Sequence, residues 1–220
     1  MKSRTVSILI FVFATLISSA QQVPFSRANI ILPQLGYSAC AWGDYDHDGD
    51  LDLAMTGTEG NNAVTKILRN DNGIFSEVNA GPNLHYGSLE WGDTDLDGDL
   101  DLLATGMDQV GNPYTLIMVN KDGSFSSGGI TLDGVMDGQA TFGASNNDGI
   151  PDILVAGSSM SRIYQGDGAG NFDILNAGLP NVEAAMCSWV DYNNDGQSDV
   201  FVCGNTGGGM VSNLFRNDQG

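Results

Sequence analysis

An aspartate-rich string returns along this chain at intervals of roughly 50 residues, and no other feature limits its possible folds so tightly. "WGDYDHDGDLDLAMTG" begins at Trp42, "WGDTDLDGDLDLLATG" at Trp91, "FGASNNDGIPDILVAG" at Phe142 and "WVDYNNDGQSDVFVCG" at Trp189. Each string is followed by a variable stretch and then by a second related segment: "TKILRNDNGIFSEV", "TLIMVNKDGSFSS", "SRIYQGDGAGNFDIL" and "SNLFRNDQG". A unit therefore reads as strand A, acidic loop, strand B, variable loop, strand C, tight turn, strand D. The runs are short, rich in β-formers and bounded by Gly, Asn and Asp. "NDNG" and "NKDG" suit hairpin turns, because Asn, Asp and Gly tolerate the positive φ such turns require.

No stretch shows a sustained helical period. Four short strands every ~50 residues is the size of a propeller blade, whereas solenoid units are usually shorter. The expected fold is all-β: a β-propeller of four-stranded antiparallel blades, about four repeats of it, over residues 21–220. "PFSRANIILP" at 24–33 resembles the strand-D segments, and the sequence stops after strand C at "LFRNDQG". Either the first segment completes the last blade of a four-bladed ring, or the chain is a fragment of a larger propeller. A stop inside a turn signal favours the fragment.

The net charge is −19, and 15 of the 27 acidic residues lie in loops 44–52, 93–101, 144–152 and 191–199. Such a chain does not bind nucleic acid through its phosphates. Carboxylates crowded at alternate positions repel one another, and a shared cation reverses that repulsion. Numbered from Asp44, the first loop offers side-chain oxygens from Asp44, Asp46, Asp48 and Asp52 at positions 1, 3, 5 and 9. The carbonyl of Asp50 lies at position 7, and Gly49 makes the turn at position 6. The second loop repeats this with Asp93, Asp95, Asp97, Asp101 and the carbonyl of Asp99. The fourth uses Asp191, Asn193, Asp195, Asp199 and the carbonyl of Gln197. In the third, Ala144 replaces the first ligand, which leaves Asn146, Asp148, Asp152 and the carbonyl of Ile150, so weak binding or none is expected there. An all-oxygen set suits Ca²⁺; Zn²⁺ would call for His or Cys. Position 12 is Met55, Ala104 or Val202 in the three fuller loops, where an EF-hand needs a bidentate Glu between helices.

"DYDHDGDLD", "DTDLDGDLD" and "DYNNDGQSD", each between an aromatic residue and an apolar strand ending in glycine, resemble FG-GAP/VCBS-type repeats, the units of integrin α-chain propellers and of many secreted bacterial proteins. The resemblance covers residues 24–220. It implies a calcium-braced propeller that serves adhesion or ligand binding, without fixing the ligand.

Residues 1–20 combine Lys2 and Arg4, an apolar run from Val6 to Ile17 and a small-residue exit at "SSA". That is the pattern of a secretory signal peptide cut after Ala20, and the run is short for a membrane span. A secreted or cell-surface protein with no span in its mature chain is expected. Export permits disulfides. Cys187 lies four residues before Asp191 and Cys203 four after Asp199, so if the loop joins antiparallel strands the two face each other and a cross-strand bridge is possible; the alternative is two buried free thiols.

The sequence holds no HExxH, GxSxG or P-loop motif, and no catalytic residue is expected. His47 and His85 read as surface histidines. The Trp before each loop reads as blade packing. Alternating strand direction puts the acidic loops and the C–D turns on one face and the variable B–C loops on the other. A protein or glycan ligand is expected on that second face, with Asn62, Tyr86 and Tyr114 among its candidates and Ca²⁺ acting as structure. The alternatives are the accessory propeller of a secreted carbohydrate-active enzyme, whose catalytic part would lie elsewhere, and a structural spacer of a surface protein.

Overall fold

The computed structural model describes residues 25–78, 81–130 and 132–218. The signal-peptide reading of residues 1–20 lies outside them. The described residues are all-β and form four antiparallel sheets, each a repeat of one connectivity. The first blade is β1 (Gly36–Gly43), β2 (Asp52–Glu59), β3 (Asn62–Asp71) and β4 (Ile74–Val78). The second is β5 (Leu89–Gly92), β6 (Asp101–Met107), β7 (Pro113–Lys121) and β8 (Ser124–Ser127). The third is β9 (Gln139–Gly143), β10 (Asp152–Gly157), β11 (Met160–Gly166) and β12 (Phe172–Leu175). The fourth has three strands, β13 (Glu183–Val190), β14 (Asp199–Asn205) and β15 (Met210–Phe215). Every neighbouring pair within a blade is antiparallel and joined in sequence order. The C–D turns close as the sequence predicts, with Asn72 and Gly73, and Asp122 and Gly123, all at positive φ.

The blades stand face to face around an axis, with the first strand of each against the first strand of the next: β1 on β5, β5 on β9 and β9 on β13. The second strands are therefore sandwiched. This is why "DLLATG" and "DILVAG" run as continuous apolar strings rather than alternating, and why β6 and β10 are buried on both sides. The interior is three clusters, one per junction. Ile67, Leu84, Leu102 and Met118 fill the first, Leu103, Ile117, Ile153 and Val155 the second, and Leu154, Ile163, Val182 and Val202 the third.

The aromatic residue before each acidic loop seats on a glycine of the blade before it. A Cβ on Gly43 would lie 2.7 Å from the ring of Trp91, a Cβ on Gly92 would lie 2.6 Å from Phe142, and one on Gly143 would meet Trp189 closer still. Only glycine leaves room for that approach. The indole N–H groups of Trp91 and Trp189 donate back to Ala41 O (3.2 Å) and Thr141 O (3.4 Å) of the preceding blade. Trp91 and Trp189 thus pack between blades as expected. Among the described residues no blade stands ahead of Trp42; it meets Phe75 edge-on and stays 51% exposed.

Three sequence readings are corrected. Cys203 pairs in register with Met186, and Cys187 with Val202, so the two sulfurs leave opposite faces of the hairpin. All three cysteines are free, with Cys187 buried, Cys203 half-buried and Cys40 exposed. His85 is buried rather than on the surface, because its connection bridges back to Met107 and wedges the ring beside Tyr86. Residues 25–35 form no strand and β15 pairs with β14 alone, so the fourth blade is not completed by that segment among the described residues.

Candidate metal centre

Each acidic loop leaves strand A, turns and enters strand B within nine residues. Two backbone features make that possible. Position 6 is glycine at positive φ in all four loops, namely Gly49, Gly98, Gly149 and Gly196. Position 4 takes the left-handed conformation with a side chain attached: His47, Leu96, Asn147 and Asn194 have φ between 56° and 60°.

The loop folds around its own carboxylates. Asp44 accepts the N–H groups of Asp48 and Gly49 (3.1 Å each), and Asp48 accepts that of Asp50 (2.8 Å). In the second loop Asp93 accepts from Gly98 (3.0 Å), and Asp97 from Asp99 (3.0 Å). These bonds turn the acids at positions 1, 3 and 5 inward. Asp44, Asp46 and Asp48 each present an oxygen within 4.8 Å of the others, and Asp93, Asp95 and Asp97 do the same. Asp46 Oδ1 and Asp93 Oδ1 are buried with no hydrogen-bond partner among the described residues. A buried oxygen of an acid with nothing to accept is costly unless a cation meets it. Burial, together with the charges of Asp97 and Asp93, raises the Asp95 carboxyl above the ordinary acid range. The donor set, all hard oxygen, fits a divalent cation such as Ca²⁺.

The other two loops differ at position 3. Asn146 Nδ2 donates to Asp148 Oδ2 (2.8 Å), and Asn193 Nδ2 to Asp195 Oδ2 (2.7 Å), so each amide occupies its neighbour's carboxylate. The fourth loop keeps Asp191, which accepts from Asp195 and Gly196, while the third has Ala144 at that position.

The ninth-position acids are placed elsewhere. Asp52, Asp101, Asp152 and Asp199 are fully buried and stand outside the carboxylate triads. Each clamps two backbone N–H groups. Asp52 accepts from Tyr45 (3.1 Å) and Asn70 (2.8 Å), and Asp101 from Thr94 (2.9 Å) and Asn120 (2.8 Å). Asp152 accepts from Ser145 (2.5 Å) and Gly166 (3.0 Å), and Asp199 from Tyr192 (3.3 Å) and Asn217 (2.8 Å). One carboxylate thereby ties the start of the loop to the end of strand C. Burial raises the carboxyls of Asp52 and Asp101 despite those bonds. The sequence does hold a sign of this role: the acid is kept in the third loop, where the first ligand is gone. At position 7 the side chains of Asp50 and Asp99 accept the N–H groups of Asn72 and Asp122 (2.7 and 2.8 Å). Acidic loops and C–D turns thus share a face.

A model of the FG-GAP-like repeat matches residues 44–104 and 146–202. The chain belongs to the FG-GAP-like repeat family. No curated protein matches this FG-GAP-like repeat chain. Among solved structures, it is similar to an Agrocybe aegerita lectin described as specifically recognising non-reducing terminal N-acetylglucosamine, at 19% identity and a TM-score of 0.47. That likeness covers 83% of this chain and 53% of the lectin, so the chain spans about half of the lectin's length.

Within the FG-GAP-like repeats, successive loops touch through two positions that sequence reasoning missed. Position 4 of one loop reaches position 7 of the next. His47 Nε2 lies 3.3 Å from Asp99 Oδ1, and Asn147 Nδ2 donates to Gln197 Oε1 (2.7 Å) and Gly196 O (2.8 Å). Leu96 and Ile150 close on Gly168 together. At the first joint an imidazole stands beside a carboxylate, at the second two apolar side chains approach one glycine, and at the third an amide meets an amide. On the opposite face Tyr114 is half-buried against the first core cluster, with its hydroxyl directed at Asp108 (3.4 Å), whereas Asn62 is exposed. Gln109 joins the variable loops of the first two blades through Ala63 N (2.6 Å) and Asn61 O (2.9 Å).

Proposed function

We propose that this chain is an exported binding module whose acidic loops hold structural Ca²⁺ and whose opposite face takes a protein or glycan ligand. The observation that carries the metal reading is the pair of carboxylate triads, each with a buried oxygen that has no hydrogen-bond partner among the described residues. Asp44, Asp46 and Asp48 hold one ion, and Asp93, Asp95 and Asp97 hold the second, with the carbonyls of Asp50 and Asp99 available beside them. The fourth loop, with Asp191, Asn193 and Asp195, binds more weakly, and the third most weakly. The metal does no chemistry on a substrate. It neutralises the loops that join strands A and B, and so stiffens the edge of each blade.

The ligand reading rests on the division of labour between faces. One face is consumed by loops that fold on themselves and on their neighbours. The other carries the variable loops, which differ in length and sequence from blade to blade, as contact loops on a rigid scaffold do. Export rests on residues 1–20 of the sequence. The test is a thermal melt of EDTA-treated protein titrated with CaCl₂. An ion at 100 times its Kd adds about 2.7 kcal/mol per site, so the melting temperature should climb with concentration. Asp93→Asn should blunt the rise and leave the metal-free melt nearly unchanged. A melt indifferent to millimolar CaCl₂ would sink the metal reading.

A further inference from the structure

Four residues at one position of the repeat line the inner rim of the arc, where each D–A connection enters strand A. They are Tyr37, Tyr86, Asp137 and Ala184, and all four have positive φ (47°, 56°, 46° and 46°) although none is glycine. Glycines stand beside them instead, at Gly36, Gly87 and Gly138. A chain of backbone bonds holds the rim: Tyr86 N–H donates to Tyr37 O (3.2 Å), Asp137 N–H to Tyr86 O (2.9 Å) and Ala185 N–H to Asp137 O (3.0 Å). The rim lies on the face opposite the acidic loops. A side chain in this conformation is strained, and strain of this kind gathers where a side chain must be aimed.

The side chains so aimed form a built surface. Tyr37 and Tyr86 stack with ring centroids 4.3 Å apart and planes 25° from parallel, and Tyr86 is backed by His85 at 5.0 Å. Tyr37 ends that stack and is 65% exposed. Beside the rings, Tyr86, Ser38, Asp137 and the backbone of Gly87 and Gly138 enclose an open depression of about 280 Å³. That volume is at the small end for ligand sites and suits one ring-sized molecule.

We propose that this axial mouth binds the ring of a neutral sugar, with its C–H face on Tyr37 and its hydroxyls on Asp137. The inference rests on the glycan form of the ligand reading above and gives it a site. The polarised C–H groups on one side of a pyranose meet the negative face of an aromatic ring. A carboxylate accepts adjacent hydroxyl protons in charge-assisted bonds. A free anion is repelled by Asp137 and by a chain of net charge −19. An apolar ligand would need an enclosed pocket. A quaternary ammonium would need several ring faces around it, and the stacked pair leaves one.

Saturation-transfer NMR on the full chain in CaCl₂ tests this, with methyl glucoside, methyl galactoside, methyl mannoside and N-acetylglucosamine as probes and choline chloride beside them. Tyr37→Gly is the decisive variant, because φ there suits glycine and removing the ring does not strain the fold. At least one sugar should receive saturation from the wild-type protein. Tyr37→Gly should weaken its affinity at least tenfold and Asp137→Asn about fivefold, with the calcium-dependent melt unchanged. Sugar binding that survives both substitutions overturns the mouth while leaving a glycan-binding module intact. Transfer to choline alone, or to no probe, overturns the sugar assignment and leaves the broader reading to a protein ligand.

Discussion

Replacing Gly92 by alanine probes the junction between the second and third blades most directly. An ideal Cβ there lies 2.6 Å from Phe142 Cδ2 and Cε2. Non-bonded carbons settle at about 3.5–4.0 Å, so the ring or the whole third blade must retreat by roughly 1 Å. Phe142 cannot swing freely, because it packs against the second core cluster and its backbone N–H donates to Glu90 Oε2 (3.2 Å). Overpacking of this size costs about 1–3 kcal/mol. For a chain of this length that is a loss of roughly 2–12 °C in melting temperature, read by calorimetry in saturating CaCl₂. Phe142→Leu in the same background should return part of the loss, giving a coupling of about 1 kcal/mol in a double-mutant cycle. Val190→Ala is the control. Val190 follows Trp189 where the other blades have glycine, it is 39% exposed, and its replacement should move stability by less than about 0.5 kcal/mol. If Gly92→Ala melts with the wild type, or if the two substitutions simply add, the glycine seat is not what joins these blades.

Asp101→Ala should cost about 3 kcal/mol or more, because it strands two buried N–H groups and removes a charged acceptor. Urea unfolding in excess EDTA should show the full loss; a loss seen only in CaCl₂ would return this residue to the metal site. Burial raises the carboxyls of Asp52, Asp95 and Asp101 above their ordinary value of 3.8. Acids raised on folding bind protons more tightly in the native state, so the stability they add is present below that value and lost as pH rises through the folded value. Metal-free protein should therefore melt higher as pH falls from 7 into the carboxylate range, and a melting temperature that only falls would contradict the cause assigned to those shifts. Cys40 is exposed, whereas burial pushes the Cys187 thiol up to about 12. A thiol reagent at pH 8 should modify Cys40 quickly and Cys187 only on unfolding, as mass spectrometry of timed samples would report.

The blade plan was legible because a repeated alternation of acidic loop, apolar strand and Asn-Gly turn leaves few other ways to bury strand B on both faces. The inward triads were legible too, since alternate aspartates before a glycine at positive φ have little else to turn toward. The backbone clamp made by Asp52, Asp101, Asp152 and Asp199, which the sequence names as metal ligands, was not. A carboxylate looks the same in a sequence whether or not its oxygens accept backbone N–H groups, and only the crossing of strand C beneath the loop reveals those bonds. Cys187 and Cys203 failed differently. Their equal distances from the loop suggested opposition, but register places Cys203 against Met186, and one residue of offset exchanges the faces of a strand. His85 was misjudged because a connection that bridges to Met107 buries its side chains as a strand would.

The matched contacts between consecutive loops bear on how such a chain could be rearranged. The seat that receives an aromatic ring travels with every unit that has glycine after its aromatic, so those units are sterically interchangeable. The loop contacts are not: His47 meets a carboxylate, Asn147 meets a glutamine, and Leu96 shares the surroundings of Gly168 with Ile150. Exchanging the second and third units would keep the rings seated and set His47 against Ile150. Order along the arc is thus written in a pair of residues at each joint, separately from the forces that make the joint hold.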